Sequence, residues 1–236
     1  MIRSKSAERL CIALDYAQRS EILAAAERFG PRVGWLKVGL EAFVSEGPAI
    51  VKEVARYGKV FLDLKFHDIP QTVSRAVAAA AKSGASMINV HAAGGRRMLT
   101  AAREALPGAD RPLLIAVTLL TSVDASALAD LPMSGHPEGI VRRLSGLARE
   151  CGLDGVVCSA ADLTVVRGVG GPEFLAVVPG IRAAGSPPGD QKRHGTAAEA
   201  TAAGADVLVV GRPVIAAPDP DAALESLIEE IESVAS

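Results

Sequence analysis

Short runs of Val, Ile and Leu alternate with alanine-rich stretches of helical spacing along the chain, and no other feature constrains its fold as tightly. The apolar runs lie near 9–14, 33–38, 59–65, 86–90, 112–119, 155–158, 174–178 and 206–210. Helical stretches fall between them, among them 19–29, 48–57, 72–83, 96–106, 138–151 and 219–235. Strands that are apolar on both faces and separated by helices belong to parallel sheets covered on both sides. About eight strand–helix units predict an α/β fold, a TIM (β/α)8 barrel, with residues 1–236 forming one domain. A doubly wound open sheet is the rival, but no G-x-G-x-x-G follows the first strand.

Composition narrows the function classes. Apolar residues make up 49% of the chain and aromatics only 3%, so a large core must be aliphatic. With 25 basic against 27 acidic residues, the chain has no electrostatic case for nucleic acid or a membrane surface. Cys11, Cys151 and Cys158 are odd in number and lack metal-ligand spacing, which points to a reducing compartment and no zinc site. The start of the chain lacks the apolar region of a signal peptide, and no apolar run is long enough to span a bilayer. A soluble cytoplasmic protein is expected.

In such a barrel the active site sits at the C-terminal ends of the strands. Polar residues collect there: Asp15, Lys37, Asp63 and Lys65, Asn89 and His91, Thr118 with Thr121 and Ser122, Ser159, Arg182, and Gly211 with Arg212. The opposite ends of the strands show no comparable cluster. One such residue reads as a cap or a satisfied core group; a ring of them calls for a pocket.

The third strand carries the most specific string, running from Asp63 through Lys65, Asp68, Ile69 and Pro70 to Thr72. Strand side chains alternate, so Asp63 and Lys65 share one face while Leu62, Leu64 and Phe66 share the other. The apolar face would pack on helices, leaving a carboxylate and an ammonium side by side in the interior. Buried charge is costly unless paired. Pro70 suits the first turn of a helix, which puts Asp68 in the preceding loop. For D-x-K alone, a structural ion pair with an Asp cap is the plainer reading; the longer string asks for more.

The last strand ends in Gly211 and Arg212, where barrels commonly bind phosphate. The long Gly- and Pro-rich segment at about 182–196 has the character of an active-site lid. Within it Gln191 has the reach to meet a phosphate, and Lys192, Arg193 and His194 read as solvating it. His67 reads as a packing residue past the strand end, and His91 as either a pocket-floor or a satisfied strand-end histidine. Neither a Ser/His/Asp triad nor a metal cluster is evident.

Taken together these motifs resemble the orotidine 5′-phosphate decarboxylase family over essentially the whole chain. The resemblance rests on Ala13-Leu-Asp15, Lys37-Val-Gly, the Asp63–Thr72 string, Val90-His91-Ala, Val117-Thr-Leu-Leu-Thr121-Ser, Pro179-Gly-Ile-Arg182, Asp190-Gln191-Lys-Arg and Val210-Gly-Arg212-Pro. Gly195-Thr196-Ala197 departs from the Thr-Pro common in that family's lid. The resemblance implies decarboxylation of orotidine 5′-monophosphate to uridine 5′-monophosphate in de novo pyrimidine synthesis, without metal or organic cofactor. It implies a homodimer with shared sites, in which Asp68, Ile69 and Thr72 reach into the partner's pocket. It also assigns Asp15 and Lys37 to the ribose, Thr121 and Ser122 to the pyrimidine, and Arg182, Gln191, Gly211 and Arg212 to the phosphate.

The residue chemistry agrees. Losing CO2 from C6 of the pyrimidine leaves a carbanion without a conventional electron sink, so catalysis must come from electrostatics and positioning. Lys37, Asp63, Lys65 and Asp68 supply two cations and two anions, with Lys65 the proton donor to C6. Asp63 either disfavours the bound carboxylate or holds Lys65 charged and aimed. Three alternatives remain open. A related barrel could use the D-x-K-x-x-D array with a metal for sugar-phosphate decarboxylation or aldol chemistry. A barrel lysine could form a Schiff base. The chain could also be a non-catalytic phosphate-ligand sensor.

Overall fold

The computed structural model describes residues 4–124, 126–130, 132–182, 193 and 195–234. Eight parallel strands close into a barrel in sequence order: β1 Leu10–Ala13, β2 Trp35–Val38, β3 Lys59–Phe66, β4 Met87–His91, β5 Leu113–Val117, β6 Gly155–Val157, β7 Leu175–Pro179 and β8 Val207–Val210. The helices are α1 Lys5–Glu8, α2 Arg19–Phe29, α3 Leu40–Glu46, α4 Ala49–Val54, α5 Pro70–Ala81, α6 Gly95–Glu104, α7 Pro137–Glu150, α8 Leu163–Gly170, α9 Ala197–Ala202, α10 Arg212–Ile215 and α11 Pro220–Glu232.

Strand alternation divides the core in two. Leu10, Ile12, Leu36, Leu62, Ile88 and Leu208 point outward into a large aliphatic layer beneath the helices. Cys11, Ala13, Phe61, Met87, Ile115, Val177, Val207 and Val209 fill the barrel itself. The inward side chains are packed at the bottom and middle, so charged groups on the same faces are confined to the mouth.

Local sequence explains the helix ends. Pro70, Pro137 and Pro220 occupy first turns, where the missing N–H costs nothing. Asp219 accepts from Asp221 N and Ala222 N at the start of α11, and Thr196 with Glu199 forms a capping box on α9. The helix expected at 48–57 is instead α4, preceded by the separate α3. Gly47, at φ 71°, ends α3, and Pro48 opens α4.

The bottom of the barrel corrects one expectation, because the strand starts do carry a polar cluster. Arg111 forms a two-pronged pair with Asp154, whose Oδ2 also accepts from Leu114 N. Arg167 pairs with Asp206, whose Oδ2 accepts from Ala176 N. Each carboxylate ties its own strand to the neighbour's backbone. These charges are paired within the scaffold, each through an arginine and a neighbouring strand's backbone.

Backbone contact makes Gly34 irreplaceable: a Cβ there would lie 1.9 Å from Glu8 O. A Cβ on Gly168, inside α8, would meet nothing within 4 Å. Gly34→Ala should therefore lower stability by roughly 1–3 kcal/mol or more, whereas Gly168→Ala should raise it by about 0.5–1 kcal/mol. Urea unfolding of the two variants, compared by midpoint, checks the opposite signs.

Candidate active site

Asp63 lies at the mouth with both carboxylate oxygens engaged by cations. Lys65 Nζ is 2.6 Å from its Oδ1 and Lys37 Nζ 3.6 Å from its Oδ2. Lys37 also donates to Asp15 Oδ1 at 2.9 Å. The result is an alternating row Asp15–Lys37–Asp63–Lys65 running from β1 to β3. Only 10% of the Lys37 side chain and 12% of the Asp63 side chain are exposed, so these charges depend on each other rather than on water.

Charge balance decides the ionisation. Burial pushes Lys37 down, but Asp63 and Asp15 outweigh it and hold the ammonium above its ordinary value. Burial pushes Asp63 up, while Lys37, Lys65 and the hydrogen bonds from Lys65 and Asn89 bring it below the usual carboxylate range. Gly39 keeps this row accessible: a Cβ there would stand 2.8 Å from Lys37 Nζ.

Above the row lies a cavity of about 700 Å³, within the usual size of ligand pockets. Asp15, Lys37, Asp63, Lys65, Thr121, Arg182, Gly211 and Arg212 all line it, with Ala13, Phe61, Val117, Val157 and Ile181 among its apolar walls. Arg182 follows β7, which lies four strands from β3 in the closed ring, and Arg212 follows β8. The cavity therefore has cations at both ends, with the Asp15–Lys37 pair between. Cys158 also lines it, but burial pushes its thiol up and keeps it protonated, which disarms it as a nucleophile.

Other expected site residues lie elsewhere. Ser122 is exposed beside Thr121 and does not line the cavity. Asp68, Ile69 and Thr72 lie on the outer rim, all exposed. Asp68 Oδ1 accepts from Ile69 N at 2.6 Å, and among the described residues Asp68 forms no ion pair. Within one chain, then, the row ends at Lys65 and does not extend to Asp68. Gln191 falls outside the described residues, as does most of the lid expected at 182–196. Among the described residues, no three His, Cys, Asp or Glu side chains are grouped as metal ligands, and no helix is long and apolar enough to cross a membrane.

Two residues count for more than their sequence context suggested. Asn89, fully buried on β4, donates from Nδ2 to Asp63 Oδ1 at 2.6 Å and accepts from Lys65 N at 2.8 Å. Arg193 is not a solvating charge: its guanidinium grips Asp162 at 2.8 Å and Leu119 O at 3.1 Å. Its backbone N donates to Thr121 O. The signal for Asn89 was its inward register on β4; nothing adjacent to Arg193 in sequence announced its partner.

The sequence profile of the Orotidine 5′-phosphate decarboxylase / HUMPS family matches residues 8–227. A curated orotidine 5′-phosphate decarboxylase from Chromobacterium violaceum is 51% identical over 230 residues, covering 97% of this chain and 93% of that protein. One from Escherichia fergusonii is 52% identical over 221 residues, covering 92% and 90%. The crystal structure of orotidine 5′-phosphate decarboxylase from Lactobacillus acidophilus superposes with a TM-score of 0.80 at 34% identity, covering 94% of this chain and 98% of that one.

Behind the row, the His91 ring stands 5.3 Å from that of His67. Burial first, then His67 and Lys65, lowers the His91 pKa from the ordinary 6.5 to about 4. The folded protein thus binds fewer protons than the unfolded chain between these values. Stability from this source is full above about pH 6.5 and is lost as pH falls toward 4. His91→Gln should flatten the dependence of urea midpoint on pH in that window; unchanged slopes would show that His91 titrates normally.

Proposed function

The chain belongs to the orotidine 5′-phosphate decarboxylase / HUMPS family, and we propose that its reaction is decarboxylation of orotidine 5′-monophosphate to uridine 5′-monophosphate, in the cytoplasm, as a step of pyrimidine synthesis. The observation that carries this reading is the buried row ending in Lys65, placed across the mouth from two arginines. The nucleotide would lie with its pyrimidine toward Lys65 and Thr121, its ribose hydroxyls on Asp15 and Lys37, and its phosphate at Arg182, Gly211 and Arg212. Because α10 is only four residues long, the phosphate would be held chiefly by guanidinium groups rather than by a helix dipole. Gln191 would join them from the segment at about 182–196, acting as a lid.

In the chemical step the bond between C6 and the carboxylate breaks, CO2 leaves, and the electron pair stays on C6. Lys65 Nζ, held by Asp63, stabilises that pair as it develops and then transfers a proton to C6; the amine regains its proton from solvent. Asp63 lies where the substrate carboxylate would arrive, so its charge favours departure over binding. No cofactor is required in this scheme. Both Asp63 oxygens are occupied by cationic or N–H donors, an arrangement that favours this reading over a metal-dependent sugar-phosphate reaction. Absorbance-monitored conversion of orotidine 5′-monophosphate by EDTA-treated protein tests it. Activity that vanishes with EDTA and returns with a divalent metal would favour the metal-dependent alternative. Lys65→Ala should lose about 10²-fold or more in turnover while remaining folded; retention of more than about a tenth would remove Lys65 from the acid role.

We further propose a homodimer with shared sites, in which Asp68, Ile69 and Thr72 complete the partner's pocket and Asp68 extends the charge row across the interface. Ile69 is 66% exposed at the rim, and Leu40 and Val44 on α3, which follows the neighbouring strand β2, are 55% and 79% exposed, while Asp68 forms no ion pair among the described residues. Lys65→Ala and Asp68→Ala homodimers should each be nearly inactive. Mixing them makes about half the dimers mixed, each with one intact pocket, so activity should recover toward about a quarter of wild type. Verified subunit exchange without recovery would assign Asp68 to its own chain.

A further inference from the structure

The backbone at Lys65 is unusual: among the described residues it alone, glycines aside, has a positive φ, at 51°. That conformation costs an L-residue roughly 1–3 kcal/mol and persists only when its surroundings enforce it. It sits in a bulge. β3 and β4 pair in register at Leu62 and Ile88 and again at Phe66 and Val90, so Asp63, Leu64 and Lys65 stand opposite Asn89 alone. The ladder there has lost its regular partners, and the Asn89 side chain replaces them. Its Oδ1 takes the Lys65 N–H at 2.8 Å, which leaves Nδ2 facing Asp63 Oδ1 at 2.6 Å. That same oxygen receives Lys65 Nζ at 2.6 Å. A fully buried amide thus fixes both ends of the Asp63–Lys65 pair, and either loss would strand a buried polar group.

Resting on the proton-donor reading of Lys65, we propose that Asn89 is a positioning residue that holds the Lys65 backbone in its left-handed turn and Asp63 in line with Nζ. Asn89 lies beneath the pair and is not among the residues lining the cavity, so it acts on turnover through the pair and not by touching the nucleotide. The amide is also the one neutral group that serves both partners. An aspartate here would still accept from Lys65 N but would set a second carboxylate against Asp63. A leucine would serve neither.

The test uses Asn89→Ala and Asn89→Asp in the full-length protein, with folding verified by thermal unfolding. Asn89→Ala should lower kcat about 10²-fold, as small misplacements of reacting groups do, while affinity for uridine 5′-monophosphate changes by less than about threefold. Asn89→Asp should be impaired near neutral pH and regain kcat relative to wild type as pH falls, because a proton shared by the two carboxyls restores a donor to Asp63. Asn89→Ala should show no such recovery. A kcat within about threefold of wild type for folded Asn89→Ala, or equal losses in kcat and product affinity, would overturn the proposal. A ligand-free crystal structure of Asn89→Ala gives a readout independent of substrate. Lys65 should leave positive φ and Nζ should leave Asp63; retention of both would overturn the proposal whatever the protein decarboxylates. If Asn89→Ala fails to fold, Asn89→Asp carries the kinetic readout, and in its crystal structure Lys65 should keep its positive φ while Asp63 turns away from position 89 and from Nζ; an unmoved Asp63 would overturn the proposal.

Discussion

Asp63 is a buried carboxylate with a lysine on each side, and much of the mouth is arranged to keep it charged. Alone it would be neutralised by burial; with Lys37 and Lys65 it is held ionised, and it in turn keeps Lys37 protonated inside the barrel. Removing Asp63 would leave the buried Lys37 without its main partner in the interior, a loss typically of about 3–5 kcal/mol for a buried pair. The aliphatic filling of the lower barrel serves this arrangement. Apart from Cys11 and Asn89 it is apolar and excludes water from below, so fields at the mouth stay strong.

The two ends of the barrel use the same residue types to opposite effect. At the bottom, Asp154 and Asp206 spend their oxygens on an arginine and on a neighbouring strand's backbone. Both oxygens of Asp154 are taken, and Asp206 Oδ2 accepts two donors. At the mouth, Lys65 is 30% exposed and paired on one side only, with the cavity on the other. The difference between a tie and an active site is thus one of remaining valence, and it can be judged only when the partners are known.

That explains what was legible in the sequence. The eight units, the inward Asp63 and Lys65 and the helix start at Pro70 follow from period and proline chemistry, which are local. The bottom ion pairs escaped because Arg111 meets Asp154 and Arg167 meets Asp206 only once strands are paired. Simple alternation put Lys65 on the same face as Asp63, correctly, but could not reveal the bulge that turns its backbone, since no glycine marks the position. Asn89 read as one polar residue in a ring; its importance lies in standing opposite that bulge. Gly47 was visible, yet its effect in separating α3 from α4 depends on a positive φ that sequence alone leaves open.

The rim itself is uneven. On the β5 to β7 side it closes on itself through hydrogen bonds. Arg193 joins Thr121 and Leu119 to Asp162, Asp162 accepts from Ser159, and Arg182 N donates to Gly195 O. Arg193 thus ties the loop after β5 to the loop after β6, and Gly195 meets the end of β7. On the β2 to β3 side the rim carries Leu40, Val44 and Ile69 exposed, with Asp68 bonded, among the described residues, to its neighbour's backbone alone. Exposed apolar side chains on the segments that follow β2 and β3, and an Asp68 that forms no ion pair among the described residues, gain nothing inside one chain. In the proposed homodimer a second copy related by a two-fold axis would bury the first and set a lysine beside the second, so the exposure seen on one protomer supports that proposal independently of the motif.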